Sequence, residues 1–186
     1  MPQFKVHTLE TAPDASRPLL LGLQEQAGII PNLAATMAES PALLDTFLGL
    51  RAQAARTSLD AASRELVAIA VAAEVGCTYC VAAHSTFGLK SGAAAQAVDA
   101  VRSGAAPGDP RQEALVRFAR AVARHDGDVA ARGRDLVQAG FTPAQVLEVL
   151  VAIAVPTLAG SVFHLTAAPL DAAFQPQAWE AAATRR

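Results

Sequence analysis

Apolar residues recur along this chain at intervals of three and four and almost never alternate with polar ones, the period of helices packed by one face. Leu19–Ala27 reads as a short amphipathic helix, and Asn32 as the cap of a second over Leu33–Glu39. Pro41 opens a third, to about Arg56, with Leu43, Leu44, Phe47, Leu48 and Arg51 at helical spacing. Ser58 then begins a hairpin with Asp60 in its first turn, and Gly76 divides it into helices over about 61–75 and 77–90. Residues 93–102, Arg111–Arg124 and Val129–Ala139 follow, with Gly104 and Gly140 as stops. Thr142 and Pro143 start a last, strongly apolar helix running to about Leu158. The valine- and isoleucine-rich runs sit among alanines and have helical length, so the pattern predicts an all-α fold in a single domain over residues 1–186, with an irregular arm at 1–15.

A repeat is visible within that pattern. LVAIAV stands at Leu66–Val71 and again at Leu150–Val155, an offset of 84 that also sets Thr142 on Ser58 and Gly160 on Gly76. Carried on, the offset sets Ser161 on Cys77 and His164 on Cys80. The expectation is two pseudo-repeated hairpins, an active one at about 57–92 and a degenerate one at about 141–170.

Charge and composition narrow the class. Net charge is −2, with acidic and basic residues interspersed, which does not make the basic face of a nucleic-acid binder. Hydrophobic residues make up 52 % and mean hydropathy is +0.28, enough apolar surface to predict a homo-oligomer. The first residues lack the apolar core of a secretory signal. The most apolar run, Val149–Phe163, contains Pro156 and is shorter than the ~20 residues that span a bilayer. The expected setting is cytoplasmic and away from membranes.

The chemistry is concentrated between Glu65 and His84. Both cysteines of the chain, Cys77 and Cys80, form a C-x-x-C here, the spacing of a redox or metal site. On one helix Cys77, Cys80 and His84 share a face, with Cys77 in the first turn, where free N–H groups favour a thiolate. Glu65 lies eleven residues before Gly76 and His84 eight after it. At about 1.5 Å rise per residue, antiparallel helices bring the two to within roughly 5 Å of the same depth. A carboxylate there fixes the imidazole tautomer and supports it as a proton carrier. The same four residues could instead hold zinc, or the cysteines could be buried structural thiols. A c-type haem needs histidine directly after the second cysteine and is excluded. Tyr79 and His164 are the candidate pocket residues, each equally readable as packing. His7 and His125 carry no signal, and Trp179 reads as an anchor for the tail.

Glu65, eleven intervening residues, Cys77-x-x-Cys80, three more and His84, followed by FGLKSGA, resemble the active-site pattern of the alkylhydroperoxidase D (AhpD)-like carboxymuconolactone decarboxylase family. The segment GIIPNLAATMAESPALL resembles the peroxidase-related branch, so the likeness runs from about residue 28 to 170. Where peroxidase members carry histidine just before the second cysteine, this chain has Tyr79. The resemblance implies an AhpD-like helical bundle, trimeric or hexameric, acting as a thiol peroxidase on organic hydroperoxide or hydrogen peroxide without metal or organic cofactor. It makes Cys80 the attacking thiolate, Cys77 its resolving partner, His84 and Glu65 the proton relay, and a lipoyl-bearing or thioredoxin-like dithiol the reductant. Helix-end electrostatics alone would favour Cys77 as the attacker. A lactone decarboxylase working by acid–base residues, a zinc-stabilised module and a non-catalytic oligomer are the rival readings.

Overall fold

A computed structural model describes residues 4–181, and all of its regular structure is helical. Among the described residues nine α-helices follow one another: α1 Arg17–Ala27, α2 Asn32–Met37, α3 Pro41–Ala55, α4 Ala61–Glu74, α5 Thr78–Lys90, α6 Ala95–Arg102, α7 Pro110–Ala123, α8 Val129–Gln138 and α9 Pro143–Thr166. A 3₁₀ turn, Ala172–Gln177, closes the described chain. The architecture is the all-α one expected.

Polar caps set the starts. Ser40, Asp60 and Asp109 each accept backbone N–H groups at the entries of α3, α4 and α7. Thr142 and Gln145 form a reciprocal capping box at α9, with Pro143 in its first turn. Such caps are worth about 1 kcal/mol apiece, and they hold short helices whose remaining stability comes from packing.

The helix at the centre is α4. Every residue from Leu66 to Ala72 is buried, so it is enclosed on all sides rather than along one stripe. It packs on α5, α6, α7 and α9. One core cluster joins Leu66, Val67, Ile69 and Val71 to α6, α7 and α8. The other fills the space among α1, α2, α3, α5 and the 3₁₀ turn. Helix α9 serves both, through Val149 and Ile153 on one side and Val155, Ala159 and Val162 on the other. At the far end of α4, Glu74 receives a bidentate fork from Arg124 at 2.6 and 2.7 Å, which ties it to α7.

The structure corrects the sequence reading in several places. Asp60, not Ser58, caps α4; Ser58 instead donates to Glu148 on α9 at 2.6 Å. Asn32 does not cap α2 with its side chain, which donates to the Pro169 carbonyl. Helix α9 runs eight residues beyond Leu158, passing through Pro156. At 24 residues it is long and apolar enough to cross a membrane, though 44 % of its most apolar window is packed against the rest of the fold.

The second hairpin of the repeat is absent. Gly76 takes the left-handed backbone (φ +68°) that turns α4 into α5, whereas Gly160 stays inside one continuous helix. Its missing side chain serves closeness instead. A Cβ there would lie 3.1 Å from Val75 and 3.7 Å from Cys77, so α9 crosses directly over the turn that carries the cysteines. The two LVAIAV copies share helical form, not the turn after them, and only the first is buried throughout.

The N-terminal arm is irregular, as expected, but it is fastened. His7, which carried no signal, is buried, with Nε2 2.8 Å from the Glu39 carboxylate and Nδ1 2.9 Å from the Thr11 carbonyl. Trp179 packs against the core cluster as an anchor for the tail, and Arg102 donates to the Gln177 and Ala178 carbonyls beside it.

Candidate active site

The turn at Gly76 sets the positions of both sulfurs. Once the chain has reversed, the Cys77 N–H donates back to the Ala72 carbonyl at 2.9 Å, and Cys77 becomes the N-cap of α5. Its sulfur accepts the Cys80 N–H at 3.1 Å, as a serine or aspartate would at this position. Cys77 and Cys80 are joined as a disulfide, with their Cα atoms 5.2 Å apart. Cys77 is the cap, not a residue of the first helical turn, and the two sulfurs differ in access. Cys77 is enclosed beneath α9, whereas Cys80 lines a cavity of about 180 Å³.

His84, one turn further along α5, lines the same cavity. Its Nδ1 is 2.7 Å from the Glu65 carboxylate on α4, and both side chains are largely buried (17 % and 23 % exposed). Gly88 makes this pairing possible. A Cβ there would stand 3.4 Å from that of Glu65, so the absence of a side chain lets α4 and α5 close on each other at this level. With Nδ1 engaged by Glu65, Nε2 is the nitrogen left to exchange protons. Glu65 and His84 also line a second cavity, of about 160 Å³.

The larger cavity is mostly apolar, walled by Ile29, Leu33, Phe47, Phe87 and Phe174 among others. Tyr79 lines it too, but its hydroxyl is committed elsewhere. It donates to Asp171 at 2.5 Å and accepts the Leu33 N–H at 3.3 Å. Burial first, and then the Asp171 hydrogen bond, hold the phenol protonated well above its usual range. Asp171 also accepts the Asn32 N–H, so one carboxylate fastens the C-terminal segment over α2 and α5. His164 is in neither cavity. It sits on the exposed side of α9 with Nε2 2.6 Å from the Val75 carbonyl, at the end of α4.

Arg51 on α3 was not singled out as a site residue, yet it lines both cavities. The signal lay in the pattern, where a cation occupies a position on the inward stripe of α3. Asp171 gave no comparable signal, because its partners come from distant parts of the chain. Among the described residues, no group of three or more histidine, cysteine, aspartate or glutamate side chains is placed to hold a metal ion.

Residues 41–121 match the carboxymuconolactone decarboxylase family, a span that includes the cysteine turn, Glu65 and His84. Among solved structures, the chain is similar to an alkylhydroperoxidase AhpD core, an uncharacterized peroxidase-related protein from Ralstonia eutropha JMP134. The identity is 26 % over 94 % of this chain and 95 % of that one, with a TM-score of 0.83. A peroxidase-related protein from Silicibacter sp. TM1040 follows at 21 % identity, 93 % and 92 % coverage and a TM-score of 0.79. The debrominase Bmp8, solved in complex with 2,3,4-tribromopyrrole, has the same fold at 18 % identity, 95 % and 96 % coverage and a TM-score of 0.79. No curated protein matches the chain in sequence.

Proposed function

We propose that this chain, similar over residues 41–121 to the carboxymuconolactone decarboxylase family and in fold to an AhpD core, is a dithiol–disulfide oxidoreductase that reduces organic hydroperoxides. One observation carries the reading: of two cysteines within disulfide reach, Cys80 opens, together with a carboxylate-bound His84, onto an apolar cavity.

The cycle begins from the reduced pair. His84 takes the Cys80 proton through Nε2 while Glu65 holds its other nitrogen. The Cys80 thiolate attacks the terminal, hydroxyl-bearing oxygen of R–O–O–H, the O–O bond breaks, and the leaving alkoxide takes the proton back from His84 as ROH. Cys80 is then a sulfenic acid. The Cys77 thiol displaces its hydroxyl as water and forms the Cys77–Cys80 disulfide. An external dithiol reopens that bond by two exchange steps and leaves as its own disulfide. A lipoyl-type or thioredoxin-like protein in the cytoplasm would serve as that dithiol.

Cys80 is the attacking sulfur in this scheme because of access. The N-cap position stabilises negative charge on Cys77, but that sulfur does not line the cavity. The homo-oligomer belongs to the same proposal. The outward side of α9 leaves Leu147, Leu150 and Leu165 exposed (67, 41 and 67 %), and a second copy would pack there; molar mass in solution is the measurement for it.

Stopped-flow mixing of the reduced protein with cumene hydroperoxide tests the activity. Both thiols of each chain should disappear together, at least about a hundredfold faster than free cysteine at the same pH. A rate equal to that of free cysteine would remove the proposal. Rapid thiol loss with 2,3,4-tribromopyrrole but none with hydroperoxide would move the chain to dehalogenation chemistry.

A further inference from the structure

The larger cavity holds a charge that the cycle above does not use. Arg51 projects from α3 into it, with the guanidinium carbon 5.8 Å from the Phe47 ring centre. Among the described residues Arg51 makes no hydrogen bond and no ion pair. The acidic group that acts on it is Glu65, which lines the second cavity with it and has one oxygen committed to His84. The other half-buried arginines among the described residues are bonded: Arg64 and Arg102 to carbonyls, Arg120 to Glu74, Arg132 to Asp128 and Asp135. A half-buried guanidinium facing an apolar cavity, with its donors unspent, is a costly arrangement unless something fills it. Lys90, exposed on the last turn of α5, adds a second positive charge to the lining.

We infer that Arg51 sets the specificity of the cavity, and that the molecule presented to Cys80 has an apolar body carrying a carboxylate. This rests on the proposed function for the reaction but not for the binding. The fit follows from shape and charge together. Aromatic and aliphatic walls take the hydrocarbon part, and the planar guanidinium offers two parallel N–H donors that match one carboxylate. The preferred substrates are then hydroperoxides of carboxylic acids, ahead of hydrogen peroxide and neutral alkyl hydroperoxides. Seated by its acid group at Arg51, such a molecule has its chain along the wall that includes Cys80 and His84.

Calorimetric binding of octanoate and octan-1-ol to the oxidised protein tests this without any turnover. The two probes share a chain and differ in the charged head. Octanoate should bind at least about tenfold more tightly, the smaller end of what a charge-assisted hydrogen bond contributes. Arg51→Met should erase the preference, Arg51→Lys should keep only part of it, and Lys90→Met should leave most of it. Equal affinity of the two probes for the native protein overturns the inference. A preference that survives in Arg51→Met, or that disappears instead in Lys90→Met, does so as well. If Arg51→Met fails to fold, undiminished preference in Arg51→Lys is the overturning result. Octanoate selectivity in a protein that consumes no hydroperoxide would sink the peroxidase proposal and leave this one standing; hydroperoxide turnover with no selectivity would do the reverse.

Discussion

Cys80→Ser is expected to abolish hydroperoxide consumption, lowering the rate by at least about a thousandfold, because a serine hydroxyl is a far weaker nucleophile toward the O–O bond. Cys77→Ser should behave differently. It retains Cys80, His84 and the cavity, so one hydroperoxide per chain should still be reduced in a rapid first step. With no second thiol to condense, Cys80 should accumulate as a sulfenic acid that dimedone traps and mass spectrometry counts. Steady-state turnover with a dithiol should fall even though the burst remains. Both serines are close in size to what they replace, and both positions are buried, so circular dichroism should show intact helices. The inverse pattern, a burst in Cys80→Ser and none in Cys77→Ser, would mean that charge stabilisation at the helix entry outweighs access to the cavity. Activity surviving in the double variant would hand the chain to acid–base chemistry of the decarboxylase kind.

The second large effect is expected at the proton relay. His84→Ala should slow the first thiol oxidation by about a hundredfold, within the usual range for losing a positioned general base. His84 lines both cavities, so its vacated space is reachable and added imidazole should restore part of the rate. Glu65→Gln keeps an oxygen within reach of Nδ1 but removes the charge that holds the imidazole; a loss of about tenfold is expected, with no rescue by imidazole. Stopped-flow thiol loss at fixed pH measures both. An unchanged rate in His84→Ala would make this histidine a packing residue and leave the thiolate to be generated another way.

How far these residues could be foreseen depends on how local their chemistry is. The helices announce themselves through period, proline and capping residues, all set within a few positions. The meeting of Glu65 and His84 was legible because one tight turn and a fixed rise per residue determine it. Helix α9 shows where such reasoning stops. Gly160, set on Gly76 by the repeat, reads as a break, but the packing of Val155, Ala159 and Val162 on one core and Ile153 on the other holds the helix through it. The tie from Tyr79 to Asp171 spans 92 positions and leaves no periodic trace. Arg51 lies between these cases, visible as a charge on an inward stripe but not as part of a site until α3 is placed beside α5.

Because α9 covers one sulfur and leaves the other on the cavity wall, the proposed cycle gives its oxidant and its electron donor one doorway between them. They must use it in turn, and each excludes the other while inside. The doorway also selects the donor by shape. Cys80 is only 2 % exposed, so the broad face of a folded protein cannot press against it, while a thiol at the tip of a slender arm can reach it. Dihydrolipoamide should therefore reopen the disulfide at least about ten times faster than reduced thioredoxin at equal thiol concentration, read by the return of free thiols.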